Sequence, residues 1–282
     1  MPFPLARSTG EPNLDLTRAH EELVLPRRVA IRWDAFDRWR YDRTAVDDAA
    51  LAWQTRAVQE YHSLALFTDL ASSVHQLGAP LDWSGALARM IADEVRHTEL
   101  CLRFAEMLGA PPPSIEPADL RLPVADHSLR AHVRRTIVAA FCIGETLSGR
   151  MFARCLRAAT VPLAQNVIRA IAEDEAFHAK FGWEAAALLM REDGEGFETE
   201  RGLLVAALPE LFMHFRILCD ADRGEAWAHD EDEADLEPNF GTLTPAGYAR
   251  AFYDGMKEDV VPGLVAIGFP EAEECWAQVR RD

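Results

Sequence analysis

Asp93-Glu94-Val95-Arg96-His97 lies inside a long helical pattern that runs from Asp82 to Gly109. On a helix of about 3.6 residues per turn, Glu94 and His97 share one face, a turn apart. A carboxylate oxygen and an imidazole nitrogen so placed suit iron, manganese or zinc. The arrangement recurs at Asp174-Glu175-Ala176-Phe177-His178. With 25 Glu and 9 His in the chain, about one Glu-x-x-His is expected by chance, so the spacing alone is weak. The preceding Asp sharpens it: of four Asp-Glu pairs, at 93, 174, 230 and 232, two carry His at that offset. Two solvated helix faces with accidental spacing are the bland alternative.

The helices around the two motifs decide against that alternative. A first helix is expected from about Asp47, capped by Asp47 or Asp48, to Leu77, where Gly78-Ala79-Pro80 ends it. A second, capped by Asp82 or Ser84, runs to Leu108 and stops at Gly109 and three prolines. A third spans Ser128 to Ala159, and a fourth runs from Pro162 to about Glu192. If the first two helices pair antiparallel, residues equidistant from the turn lie level. The midpoint between Glu60 and the 94/97 pair is Gly78, and that between Glu145 and the 175/178 pair falls just before Pro162. Each hairpin thus brings a lone Glu level with a Glu-x-x-His. Helices of this length are about 42 Å long, and the 110–127 connection, fully extended, reaches about 60 Å. It can cross the whole bundle. The expected architecture is all-α: a four-helix bundle with one long crossover, which brings two lone Glu and two Glu-x-x-His together.

Electrostatics agree. Four carboxylates carry −4 and two divalent ions carry +4, whereas buried acids without a cation are costly through desolvation and mutual repulsion.

The remaining chain reads as additions to one domain, 1–282. An N-terminal arm covers 1–46, with Trp33, Phe36, Trp39 and Tyr41 pinning it to the core bundle at 47–192. A helical C-terminal extension covers 193–282. Within it, a fifth helix at 197–219 is expected to bend or break at Pro209. Thr244-Pro245 opens a sixth, and Pro270 a last one. The acidic stretch 220–243, with His229, reads as a lid or a disordered loop. A formal charge of −17 argues against nucleic acid or an anionic membrane surface as partner. Five dispersed cysteines without a Cys-x-x-Cys read as reduced thiols. No apolar run approaches the roughly 18 residues of a membrane helix, and the N-terminus lacks a signal-peptide core. A cytoplasmic location is expected.

With these residues in place, the sequence resembles the ferritin-like di-iron carboxylate proteins over about 47–192. The resemblance implies that Glu60, Glu94, His97, Glu145, Glu175 and His178 ligate two iron ions, a manganese–iron pair being the variant. It makes Asp93 and Asp174 outer-layer acids that accept the ring N–H of the opposite motif's His. Arg96 matches the Arg of the Asp-Glu-x-Arg-His form found in di-iron oxygenase subunits and ties that Asp layer together. Ser148, a turn from Glu145, stands where related desaturases carry a hydroxyl and relays protons. A hydroxyl bonded back to the helix is the alternative. Phe67, Phe141, Cys142, Met151 and Phe177 line a pocket or simply pack the core.

The family hosts several activities, so the fold leaves function open. Cys101 replaces the Tyr of radical-storing reductase subunits, and Ile171 replaces the third His of arylamine N-oxygenases. The rubredoxin Cys-x-x-Cys of rubrerythrin-like peroxidases is absent. Ferritins and bacterioferritins are shorter. The resemblance implies an O2-activating oxidase or oxygenase that hydroxylates, desaturates or N-oxygenates a small, largely apolar or amine substrate. It further implies an electron donor such as a ferredoxin or reductase, and a homodimer. The alternative is a ferroxidase or iron-handling protein with no organic substrate.

Overall fold

The computed structural model describes residues 2–5, 20, 22–24, 30–121, 128–191, 196–230 and 237–281. The described chain is all-α apart from one short antiparallel pair, β1 (Phe3–Pro4) and β2 (Ser114–Ile115). Ten α-helices are described: α1 (Arg43–Gln76), α2 (Leu81–Leu108), α3 (Leu129–Thr136), α4 (Thr146–Ala158), α5 (Pro162–Leu189), α6 (Phe197–Leu218), α7 (Glu225–Asp230), α8 (Pro245–Gly255), α9 (Val261–Ala266) and α10 (Ala272–Val279). Two stretches are π-helical, Ile137–Glu145 between α3 and α4 and Met256–Val260 between α8 and α9. The chain groups into two compact units. Most of the 1–15 arm, the end of the 110–127 connection and the acidic core of the 220–243 loop fall outside the described residues.

The first unit comprises 1–124, 159–171 and 237–242. Its frame is the α1–α2 hairpin, turned at Gly78 with φ +74°. The first helix starts earlier than the Asp47/Asp48 cap expected from the sequence. Asp42 accepts from the Thr44 and Ala45 amides at 2.9 and 3.2 Å and so satisfies two of the first-turn donors. The Asp82/Ser84 cap is likewise replaced: α2 begins at Leu81 behind Pro80, with no side-chain cap. The predicted stop stands, because Gly109 takes the left-handed conformation at φ +106°. The arm's aromatics pack here as expected. Phe36 meets Phe104 edge-on at 5.7 Å and stacks on Tyr41 at 5.8 Å. Trp39 is the exception, 81% exposed. The 237–242 segment is bolted to α1: Trp53 Nε1 donates to the Phe240 carbonyl at 2.8 Å, and Arg56 Nη2 to that of Gly241 at 3.2 Å.

The second unit comprises 125–158, 172–236 and 243–282. Ser128 caps α3 by accepting from the Ala131 amide at 2.9 Å. The expected third helix is therefore present from Ser128 to Ala158, but its middle is π-helical. Of the bend or break expected at Pro209, the break is absent: helix α6 is continuous through it. Its buried Leu204, Leu208, Leu211 and Phe212 hold it in one core with Leu147, Phe252, Met256 and Trp276. That burial outweighs the roughly 3 kcal/mol cost of an interior proline. The C-terminal helices thus share a core with the segment that carries Glu145. Glycines make the close approaches. A Cβ on Gly255 would lie 2.8 Å from Leu147 Cδ2, and one on Gly263 would lie 2.5 Å from the Trp183 ring. Arg216 closes the C-terminus by donating to the carbonyls of Ala221 at 3.1 Å and Val279 at 2.6 Å.

Candidate metal centre

In the first unit, α1 presents Glu60 and α2 presents Glu94 and His97. Glu60 is 8% exposed, Glu94 1% and His97 fully buried. His97 Nδ1 lies 3.6 Å from Glu60 Oε2 and 3.7 Å from Glu94 Oε1. These separations exceed hydrogen-bond length. Each of the three side chains offers a ligand atom within 4.8 Å of the others. Donors bound to one cation at about 2.0–2.2 Å lie somewhat over 3 Å apart, so a small contraction would seat an ion between them. The level pairing inferred around Gly78 is therefore what the hairpin delivers.

The second unit repeats the arrangement. Glu145 is the last residue of the π-helical stretch, and α5 carries Glu175 and His178. His178 Nδ1 lies 3.5 Å from Glu145 Oε2 and 3.8 Å from Glu175 Oε2. Here too the three residues are buried and offer ligand atoms within 4.8 Å of one another. In each trio two carboxylates converge on one imidazole nitrogen out of reach of bulk water. Paired buried carboxylates repel, and their charge is unfavourable without a cation. The oxygen and nitrogen donors suit iron, manganese or zinc. The donor set fits a metal in both places. The Cys101 thiol, four residues beyond His97, has its pKa pushed well up, first by burial and then by the Glu60 carboxylate.

The outer-layer residues are buried as well. Asp93 is fully buried and accepts from Arg96 Nη1 at 2.7 Å, while Arg89 Nε stands 3.4 Å from its other oxygen. Asp174 is 8% exposed, on α5 immediately before Glu175. Ser148 is half-buried, a turn beyond Glu145 on α4. Of the pocket candidates, Phe67, Phe141 and Cys142 are fully buried. Phe177 is half-buried, and Met151 packs against the second unit's core.

Sequence reasoning missed three features beside the trios. The π-helix has no signature in the run Ile-Val-Ala-Ala-Phe-Cys-Ile-Gly-Glu, yet such turns favour functional sites because they re-aim a side chain and loosen the carbonyl ladder. Trp183 Nε1 donates to Thr146 Oγ1 at 3.1 Å, tying α5 to the residue after Glu145. Arg56, a turn before Glu60, is buried and lies 4.4 Å over the Trp53 ring. Its one available signal was the four-residue spacing to Glu60. Among the described residues no helix is long and apolar enough to cross a membrane. Comparison with protein-family models, curated proteins and solved structures found no match to this chain.

Proposed function

We propose that each of the two buried Glu/Glu/His trios holds a metal ion, as the resemblance to ferritin-like di-iron carboxylate proteins implies, and that the protein is a di-iron oxidase or oxygenase. The observation that carries this reading is the repetition. The same three donor groups are gathered twice, each time from a lone Glu and an Asp-Glu-x-x-His. When bound, two irons supply activation of O2 and oxidation of a small, largely apolar or amine substrate. The chain's own part is to fix the donors and exclude water. Glu60, Glu94, Glu145 and Glu175 supply four negative charges that match two divalent ions, and both imidazoles present Nδ1 to the carboxylates. Phe141, four residues before Glu145, and Phe181, three after His178, pack edge-on at 5.6 Å and add apolar surface that helps to exclude water. Arg96 holds the Asp93 carboxylate in place. Ser148 relays a proton near Glu145. An external electron donor completes the cycle, a manganese–iron pair is the variant centre, and the working form is a cytoplasmic homodimer.

Metal analysis of protein produced with iron and manganese both available tests the first half of this reading. Two ions per chain are expected, and Glu94→Ala and His178→Ala should each lose stoichiometric binding. If both variants keep two ions at unchanged affinity, the ligand assignment is wrong. O2 consumption by the iron-loaded protein tests the second half. It should be stimulated by a matching substrate, recovered hydroxylated, desaturated or N-oxidised. Growth of a ferric mineral core holding hundreds of irons would replace the oxygenase with an iron-handling protein.

A further inference from the structure

Thr98 follows His97 on α2 and is buried, with 6% of its surface exposed. Among the described residues its Oγ1 has no hydrogen-bond partner. Threonines on α1 behave otherwise. Thr55 Oγ1 donates to the Leu51 carbonyl at 3.0 Å and Thr68 Oγ1 to that of Leu64 at 2.8 Å, each four residues back. The equivalent acceptor for Thr98 is the Glu94 carbonyl, and Oγ1 is not bonded to it. The hydroxyl is therefore directed away from the backbone of its own helix.

The surroundings of Thr98 are those of the first trio. Residues three and four apart are neighbours on a helix, and side chains lean toward the helix N-terminus. Thr98 thus leans onto the turn of Glu94, with Cys101 three residues beyond. Burial above all raises the Cys101 pKa, the charge of Glu60 comes next, and Glu94 adds to it. This face of α2 therefore looks onto the donors. A buried hydroxyl without a partner is unfavourable, and it can both donate and accept. Iron and manganese take up to about six donors, more than the side chains gathered here. An ion seated in the trio has room for a solvent ligand.

Resting on the metal-centre reading above, we propose that Thr98 is a positioning residue whose hydroxyl donates to a solvent molecule on the ion held by Glu60, Glu94 and His97. The threonine fixes where a small non-protein ligand sits in the first trio. A small anion that displaces the solvent inherits the hydrogen bond.

Azide titration of the full-length protein loaded with Co(II), followed in the visible d–d spectrum, tests the assignment. Thr98→Val keeps the shape of the side chain and removes the hydroxyl. In the metal-free state it should unfold at a temperature no lower than wild type, because no bond within the protein is lost. It should take up Co(II) in the wild-type amount and lose at least about tenfold in one azide step, the worth of a hydrogen bond to a charged acceptor. Thr98→Ser should restore that step to within about threefold of wild type. Unchanged azide affinity in Thr98→Val overturns the assignment, and with a lower unfolding temperature it puts the hydroxyl in an internal bond instead. Thr98→Ser as weak as Thr98→Val also overturns it, since the methyl group is then what matters. So does loss of Co(II) by Thr98→Val, since the hydroxyl then serves the protein ligands and not the solvent. Wild type that takes up Co(II) without responding to azide overturns the assignment and leaves the metal centre standing. Absence of Co(II) binding by wild type overturns both.

Discussion

Gly182 lies one turn beyond His178 on α5, and a Cβ built there would sit 2.5 Å from Phe141 Cβ, 2.8 Å from the Phe141 carbonyl carbon and 3.1 Å from the Cys142 nitrogen. Carbon atoms pack at about 3.5–4.0 Å, so Gly182→Ala must push the π-helical stretch away by about 1 Å. Two of the three obstructing atoms are backbone, so no rotamer change relieves the clash. Overpacking of this kind costs about 1–3 kcal/mol. The alanine returns about 0.5–1 kcal/mol of helix propensity. The net expectation is a loss of about 1–2 kcal/mol in urea or thermal unfolding. The displaced segment ends at Glu145, whose carboxylate is 3.5 Å from His178 Nδ1. Binding of Mn(II) to the second trio should therefore weaken by more than the stability loss alone explains. Gly149→Ala and Gly202→Ala are the controls, since a Cβ at either meets nothing within 4 Å. Both should stabilise by up to about 1 kcal/mol. If Gly182→Ala is as stable as these controls and binds metal unchanged, the close approach of α5 to the π-helical stretch is not as described.

Two further outcomes follow from the packing. Trp53 is fully buried and its Nε1 satisfies the Phe240 carbonyl; Trp53→Phe should cost about 2–4 kcal/mol, read by chemical denaturation, since it leaves both a void and an unmet acceptor. Cys101, Cys142, Cys155 and Cys219 are buried, Cys275 is partly accessible, and burial pushes the Cys219 thiol up to about 12. A thiol-specific reagent at neutral pH should therefore label at most Cys275 in the folded protein, and rapid modification of Cys101 would contradict the closed environment of the first trio.

Much of this protein is settled by local pattern. Periodicity and breakers place four long helical segments, because Gly and Pro interrupt helices for reasons of backbone conformation that hold in any context. The Asp-Glu-x-x-His repeats name four donors, and equal distance from a turn names Glu60 and Glu145, because a helix has a fixed rise per residue. Caps were less legible: Asp42 competed successfully with Asp47 and Asp48, a choice that depends on which backbone enters the hairpin. Pro209 gives the same lesson in reverse, since the apolar face of α6 is worth more than the hydrogen bond that the proline removes. Tertiary structure alone decided the π-helical stretch before Glu145, the lock of Trp53 and Arg56 onto residues 240 and 241, and the seating of α5 against Phe141 through Gly182. Those features depend on how closely two backbones approach and which carbonyls are left to be satisfied. Such quantities arise between segments distant in the chain, so no single stretch of sequence encodes them.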